Sequence, residues 1–353
     1  MAKGLTRRQL LAGSAVAAAG IGGGLWLRDP HGGGVDHEVI RRPPGAPGGL
    51  PPAITPLDEH YVFHAHRTPS PQGPDEATLW LSNEEGDKDI LTWAEALDGL
   101  PRTKIPATLA CDGNGFPLGS IALPRVHRTW TRWGWRFGGI GTHIWDAVSI
   151  RDLLEKQGRW EERKVVEFYA RDGEDLGLPL DEITSGRAFL AVGIDGVPLP
   201  HLRGGPARLI MRGHWGARSL KWIFQIHLVD EEAEWTLGDH PTHAVRPFAF
   251  CSTHKDGATV GKTIEVGGGA YAGTHPVAKV SVTIDREETL EARFVEPPEP
   301  FRMARWTRSL TLSPGPHELT IRCEDTEGRR SVNRRRSDTQ GWDEDHHLRV
   351  IVG

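Results

Sequence analysis

Glycine and proline set the grain of this chain. Its 353 residues hold 43 glycines and 26 prolines, roughly a fifth of the total. Proline removes a backbone donor and glycine loses more freedom on ordering than other residues, so this density excludes a helical bundle. It favours short strands joined by turns. The length suits two domains, each able to bury a core. Hydrophobic residues at 38% and charged residues at 25% describe a globular chain, not a disordered or polytopic membrane one. A formal net charge of −5 provides no general basic surface for nucleic acid. Thirteen tryptophans against three tyrosines point to Trp-lined cores or clefts.

Residues 1–30 read as an address. Lys3, Arg7 and Arg8 precede an Ala/Gly-rich apolar stretch, and Thr6-Arg7-Arg8-Gln9-Leu10-Leu11 resembles the twin-arginine export motif. Export by that route implies the periplasm or the outer face of the cytoplasmic membrane. No clear small-x-small cleavage site closes the stretch, so the segment is either a signal or an uncleaved anchor. Residues 31–55, rich in glycine and proline, read as a linker.

Two short helices are legible from their ends. Thr92-Trp93-Ala94-Glu95 has capping-box spacing, with Gly99 as the stop. Ser149-Ile150-Arg151-Asp152 starts a second helix, which places Ile150, Leu153 and Leu154 on one face before Gly158. Strand-like runs at 107–110, 165–170, 207–211 and 221–229 complete the pattern, which predicts an α+β domain over residues 56–240. From about residue 245 the period becomes two. Val280, Val282 and Ile284 alternate with polar neighbours, and so do Leu319, Ile321 and Cys323. Residues 245–353 therefore predict an all-β, immunoglobulin-like sandwich. The run Gly257 to Thr263 (GATVGKT) imitates a phosphate-binding loop. It is one residue short, and the strand-like Ile264-Glu265-Val266 follows where a helix must begin. GxSxG, HExxH and GxGxxG are absent, leaving serine hydrolases, zincins and dinucleotide oxidoreductases without support.

Cys111, Cys251 and Cys323 are widely spaced and form no CxxC, which leaves zinc ribbons, thioredoxin-like sites and covalent haem unsupported. In an exported protein Cys251 and Cys323 could pair. Unpaired, Cys323 reads as a core residue. Cys111 stands where the run 107–110 ends and Asp112-Gly113-Asn114-Gly115 begins. A thiol at a strand end, opening into a loop, can face a cleft while its strand stays rigid.

Its surroundings, ATLACDGN, resemble the TL-x-C-x-GN run of the sulfite oxidase family of molybdenum enzymes. Gly138 to Thr142 with Trp145 and the helix from Ile150 is similar to that family's GAIGTARW…LRDVL stretch. Residues 189–228 are similar to its NGxPLPxxHGxPLRLxxPGxxGARSVKW stretch. The sandwich resembles its C-terminal dimerisation domain, so the likeness runs over about residues 56–353. It implies Mo-molybdopterin as cofactor and Cys111 as the metal's thiolate ligand. Arg208 would grip the cofactor's phosphate, Ser219, Leu220 and Lys221 would add donors, and Asp172 would hold pterin nitrogens. Arg203 stands where the family has a histidine. Either His64 or His66 matches the family's pterin-binding histidine.

The match breaks in the substrate pocket. Where sulfite oxidases carry arginines and a tyrosine, this chain has Phe63, Gly115, Phe116 and Val192. Arg125, His127, Arg128, Arg132 and Arg136 either refill the pocket with cations or form a surface loop. The resemblance implies two-electron oxygen-atom transfer on a small molecule, a separate electron carrier such as a c-type cytochrome, and a homodimer through the sandwich. It also implies poor sulfite oxidation. The alternatives are a sulfoxide-type reductase of the same family and a redox-silent envelope interaction protein.

Overall fold

In the computed structural model the described residues are 49–64, 68–111, 114, 137–158, 165–230, 244–332 and 344–353. The export segment, most of the linker, His66, Phe116 and the arginine-rich stretch 125–136 lie outside them.

The first domain is built from β1 (Thr78–Asn83), β2 (Lys88–Thr92), α1 (Trp93–Leu97), β3 (Thr103–Ala110), β4 (Ile140–Val148) and α2 (Ile150–Lys156). β5 (Val165–Ala170), β6 (Asp175–Pro179), α3 (Leu180–Thr184), β7 (Ala188–Ile194), β8 (Val197–Pro198), β9 (Arg208–Met211) and β10 (Ile223–Val229) complete it. Both helix starts are capped as the sequence predicts. The Thr92 hydroxyl accepts from Glu95 N while the Glu95 carboxylate takes Thr92 N, and the Ser149 side chain accepts from Asp152 N. The helices are short, so the domain is mostly β. One sheet runs β2-β1-β10-β5-β6, the other β3-β4-β7-β8, with β9 also paired to β7. Trp93, Leu97, Leu153 and Leu154 pack with Leu79, Phe168, Leu190 and Ile226 into one core. β7 is buried along its whole length because Phe189 and Ile194 face a second core with Trp145 and Ile210.

The second domain is a sandwich of β11 (Phe248–Cys251), β13 (Thr263–Tyr271), β17 (Ala304–Thr311) and β16 (Arg293–Phe294) against a second sheet. That sheet is β12 (Ala258–Val260), β19 (His346–Val352), β18 (Gly315–Asp325), β14 (Val277–Ile284) and β15 (Glu288–Glu291). The register opposes Val280 to Cys323, Val282 to Ile321 and Ile284 to Leu319, so each alternating apolar set shares the inner face. Cys323 is fully buried there, and none of the three cysteines is in a disulfide. The GATVGKT run spans β12 and the start of β13, a strand where a phosphate loop needs a helix.

The domains share an apolar core of Ala110, Ile140, Trp215, Val245, Phe248, Phe250, Tyr271 and Met303. Thr108 of β3 is tied to the sandwich three times. Its N–H donates to Phe301 O at 2.9 Å, its Oγ1 accepts Met303 N at 2.9 Å, and its carbonyl accepts the Tyr271 hydroxyl at 3.3 Å. Thr108→Val keeps the shape but leaves the buried Met303 N–H without its acceptor. It should destabilise the protein by about 1–3 kcal/mol, read as a lower midpoint in chemical denaturation; an unchanged midpoint would show that this contact carries no weight.

Candidate functional site

Cys111 follows β3 directly and is buried. Its N–H donates to Gly139 O at 2.7 Å, and its carbonyl accepts Asn114 N at 2.9 Å. The Asn114 side chain in turn accepts Gly139 N at 3.0 Å. This closes a tight loop around the thiol. Ala110 bridges to Trp215, which brings the start of the 216–218 helical turn alongside. Two fully buried donors here, Asn114 Nδ2 and Trp215 Nε1, have no hydrogen-bond partner among the described residues.

Three cations stand close by, Arg203 and Arg208 buried and Lys221 half-buried. Arg208, the first residue of β9, donates from Nε to Ser219 O at 3.2 Å and from Nη1 to Arg203 O at 3.3 Å. Lys221 donates from Nζ to Phe63 O at 2.5 Å. Gly204 makes room for it. At φ 103 it adopts a left-handed conformation, and a Cβ there would lie 2.8 Å from the Lys221 Cβ. Burial, with Arg208 beside it, pushes Lys221 down to about 7, against the opposing pull of Asp172 and Cys111. Burial likewise lowers Arg208 to about 10. Neither side chain forms an ion pair among the described residues. Arg203 is different: its guanidinium donates to Tyr61 O at 2.6 Å, Leu57 O at 2.5 Å and His60 O at 2.8 Å. It holds the incoming segment 57–61 in place.

The structure therefore brings Cys111, Asp172, Arg203 and Arg208 within electrostatic reach of Lys221, with Ser219 hydrogen-bonded to Arg208. Asp172 is half-buried, with Arg171 N bound to Trp222 O at 3.0 Å. The Ser219 hydroxyl accepts Met211 N at 3.1 Å, and Leu220 sits in the main core. His64 has both ring nitrogens engaged, by Thr68 Oγ1 at 2.6 Å and Leu202 O at 3.1 Å. Burial, and then Lys221, hold it neutral at about 4. Phe63 is half-buried and Val192 packs in the main core. Sequence reasoning passed over Asn114, Trp215, His60 and His143. Asn114 was in the quoted motif, but nothing local marks the two histidines as neighbours.

Residues 67–236 match the family model described as oxidoreductase molybdopterin binding domain. The chain is 25% identical to the mitochondrial sulfite oxidases of Homo sapiens and Rattus norvegicus, over 82% of its own length and 60% of theirs. It thus spans about 60% of the length of these curated relatives. It is 29% identical to the sulfite oxidase of Gallus gallus over 47% of this chain and 38% of that protein. Among solved structures, the sulfane dehydrogenase SoxCD from Paracoccus pantotrophus superposes with a TM-score of 0.70 at 18% identity. That match covers 85% of this chain and 82% of that one, and it shows a common fold. The domain's cofactor is Mo-molybdopterin. The chain thus carries a molybdopterin-binding oxidoreductase domain that continues into a β-sandwich, and over 82% of its length it is similar to the sulfite oxidases.

Proposed function

We propose that this protein is an exported molybdenum oxidoreductase that transfers an oxygen atom between water and a small substrate and passes two electrons to a separate carrier. The observation that carries the reading is buried Arg208 and half-buried Lys221, neither with an ion-pair partner among the described residues, within electrostatic reach of Cys111. A buried cation without a counter-ion is costly, and an anionic group entering the cleft removes that cost. The orphaned donors Asn114 Nδ2 and Trp215 Nε1 point to the same need. The residues thus fit an anionic cofactor.

When bound, the cofactor supplies a metal that exchanges electron pairs and an oxygen atom. Cys111 would ligate it as a thiolate, its strand held rigid by the sandwich. Arg208 would clamp the phosphate with the N–H groups its two carbonyl bonds leave over. Lys221 would add a point charge, Ser219 and Leu220 backbone groups, and Asp172 an acceptor for ring N–H groups. The sandwich supports the reading of a homodimer and the twin-arginine motif that of export; the reading includes a separate carrier such as a c-type cytochrome.

Cys111→Ser replaces a soft ligand with a hard one. The protein should still fold, but turnover should vanish and the molybdenum absorption or paramagnetic spectrum should change; an unchanged spectrum would remove Cys111 from the metal.

Lys221 offers a test without cofactor. It is charged below about 7 and neutral above, so sulfate, whose charge is fixed in this range, should bind the apoprotein more weakly as pH rises through that value. Arg208→Ala should weaken sulfate at every pH. Calorimetry showing pH-independent binding would take Lys221 out of the cleft.

Sulfite is a poor fit. Its charge must be met by fixed donors, and Phe63, Gly115, Phe116 and Val192 have none in their side chains. Losing two charge-assisted bonds at about 1.5 kcal/mol each lowers kcat/KM by roughly 100-fold relative to a true sulfite oxidase. Steady-state assays with ferricyanide decide it: efficient, saturable sulfite turnover would show that the donors come from elsewhere.

A further inference from the structure

A chain of titratable groups runs inward from half-buried Asp195 to His60, which lies within electrostatic reach of Arg203, Arg208 and Lys221. It begins at the β7–β8 turn, where Asp195 and Gly196 both have positive φ, the backbone of a tight two-residue hairpin. Asp195 N donates to Ile144 O at 2.7 Å and its Oδ1 accepts Ile144 N at 2.8 Å. Its Oδ2 meets His143 Nδ1 at 2.5 Å, and His143 Nε2 is hydrogen-bonded to His60 Nδ1. The Asp195 side chain is 21% exposed, while that of His143 is fully buried. Gly141 is required here, because a Cβ at that position would collide with His60 Nδ1.

The chain has a polarity. Burial opposes ionisation of Asp195, but hydrogen bonds from His143 and Ile144 outweigh it and hold the carboxyl below its usual range. An ionised Oδ2 only accepts, so the proton sits on His143 Nδ1. His143 Nε2 must then accept from His60 Nδ1–H. His60 is left with a lone pair on Nε2, which has no partner among the described residues. Around His60 stand Tyr61, stacked at 4.7 Å, His143, Arg203, Arg208 and Lys221. Burial, then His143 and these cations, keep it neutral.

We propose that Asp195, His143 and His60 form a proton-accepting relay for the cofactor cleft. The proposal rests on the oxidoreductase reading. Oxidation of a substrate X with oxygen from water, X + H2O → XO + 2 H⁺ + 2 e⁻, sends the electrons to the carrier protein and one proton to solvent, and leaves the other among cations that repel it. His60 Nε2 takes one proton as His60 Nδ1 hands its own to His143 Nε2. The positive charge then rests on His143, against the Asp195 carboxylate, and not beside Arg208 and Lys221. Reversal of the same hops returns the proton.

The test uses holoprotein with molybdenum and pterin content measured. Asp195→Asn removes the charge that stabilises protonated His143. After dithionite reduction, reoxidation by ferricyanide should slow at least about 10-fold near neutrality, with a shifted pH profile and a larger solvent isotope effect. Cofactor content and melting temperature should hold. His60→Gln, which keeps a donor to His143 but cannot relay, should slow it equally and stands in if Asp195→Asn fails to fold. Independently, proton NMR of ¹⁵N-histidine protein should show a low-field His143 Nδ1–H resonance, lost in Asp195→Asn, with or without cofactor. Unchanged rate and pH profile at full cofactor content, or absence of that resonance, would overturn the relay. Wild-type protein that holds no molybdenum under competent maturation would overturn the oxidoreductase reading instead, while the resonance still reports on the hydrogen-bonded chain.

Discussion

The docking of β3 onto the sandwich at Thr108 governs the geometry of the cleft. β3 is the edge strand of its sheet, and an unpaired edge is a liability unless something covers it. Here the cover is the second domain. Thr108 uses its N–H, carbonyl and hydroxyl on Phe301, Tyr271 and Met303, and the same hydroxyl meets Thr142 of β4 at 2.6 Å. Cys111 lies three residues further on, so the sandwich fixes the strand that presents the thiol. The sandwich thus has a mechanical role, and the shared core of Phe248, Phe250 and Met303 joins the two parts at this point.

Electrostatics then divides the buried cations by task. Arg203 faces three carbonyls, and a guanidinium so placed is a rigid brace whose charge is spread over backbone dipoles. Arg208 and Lys221 have fewer carbonyl bonds and no ion-pair partner among the described residues, so less of their charge is spread over backbone dipoles. His60 and His64 stay neutral beside them, chiefly because burial penalises a second layer of charge. Arg208 therefore keeps the site positive at neutral pH, and Lys221 adds its charge below about 7. Asp172, which acts on Lys221 together with Cys111, is half-buried.

Much of this was legible along the chain, for identifiable reasons. Capping residues act locally, so Thr92 and Ser149 announced their helices. Period-two alternation reports burial on one sheet face, so Val280 and Ile321 announced the sandwich. Motif order placed Cys111, Arg208 and Lys221 together. What stayed hidden depends on contacts over long separations. His60, His143 and Asp195 lie on three segments, and His143 reads locally as one more strand residue. Arg203 stood at a motif position where a histidine was expected, and only the fold shows it bracing residues 57–61. The Cys251–Cys323 pairing that export allowed is not formed: Cys323 is enclosed in the sandwich core and Cys251 lies beside Thr253.

Trp222 shows how the site is held rigid. It has φ 52, a left-handed conformation that costs a bulky residue about 1–3 kcal/mol. The strain persists because three hydrogen bonds over-determine it: Trp222 N to Gly204 O at 3.1 Å, Arg171 N to Trp222 O at 3.0 Å, and Trp222 Nε1 to His201 O at 2.8 Å. Its ring is buried edge-on against His64 at 4.8 Å, and Lys221 Nζ lies 5.5 Å from it. An ordinary extended residue here would keep Lys221 and Trp222 on opposite faces of β10's alternation. The left-handed turn instead lets Lys221 enter the cleft while Trp222 packs beside it, just before β10 begins at Ile223. Local strain is thus exchanged for a fixed lysine, and a buried cation whose position is fixed needs no reorganisation to meet an anion.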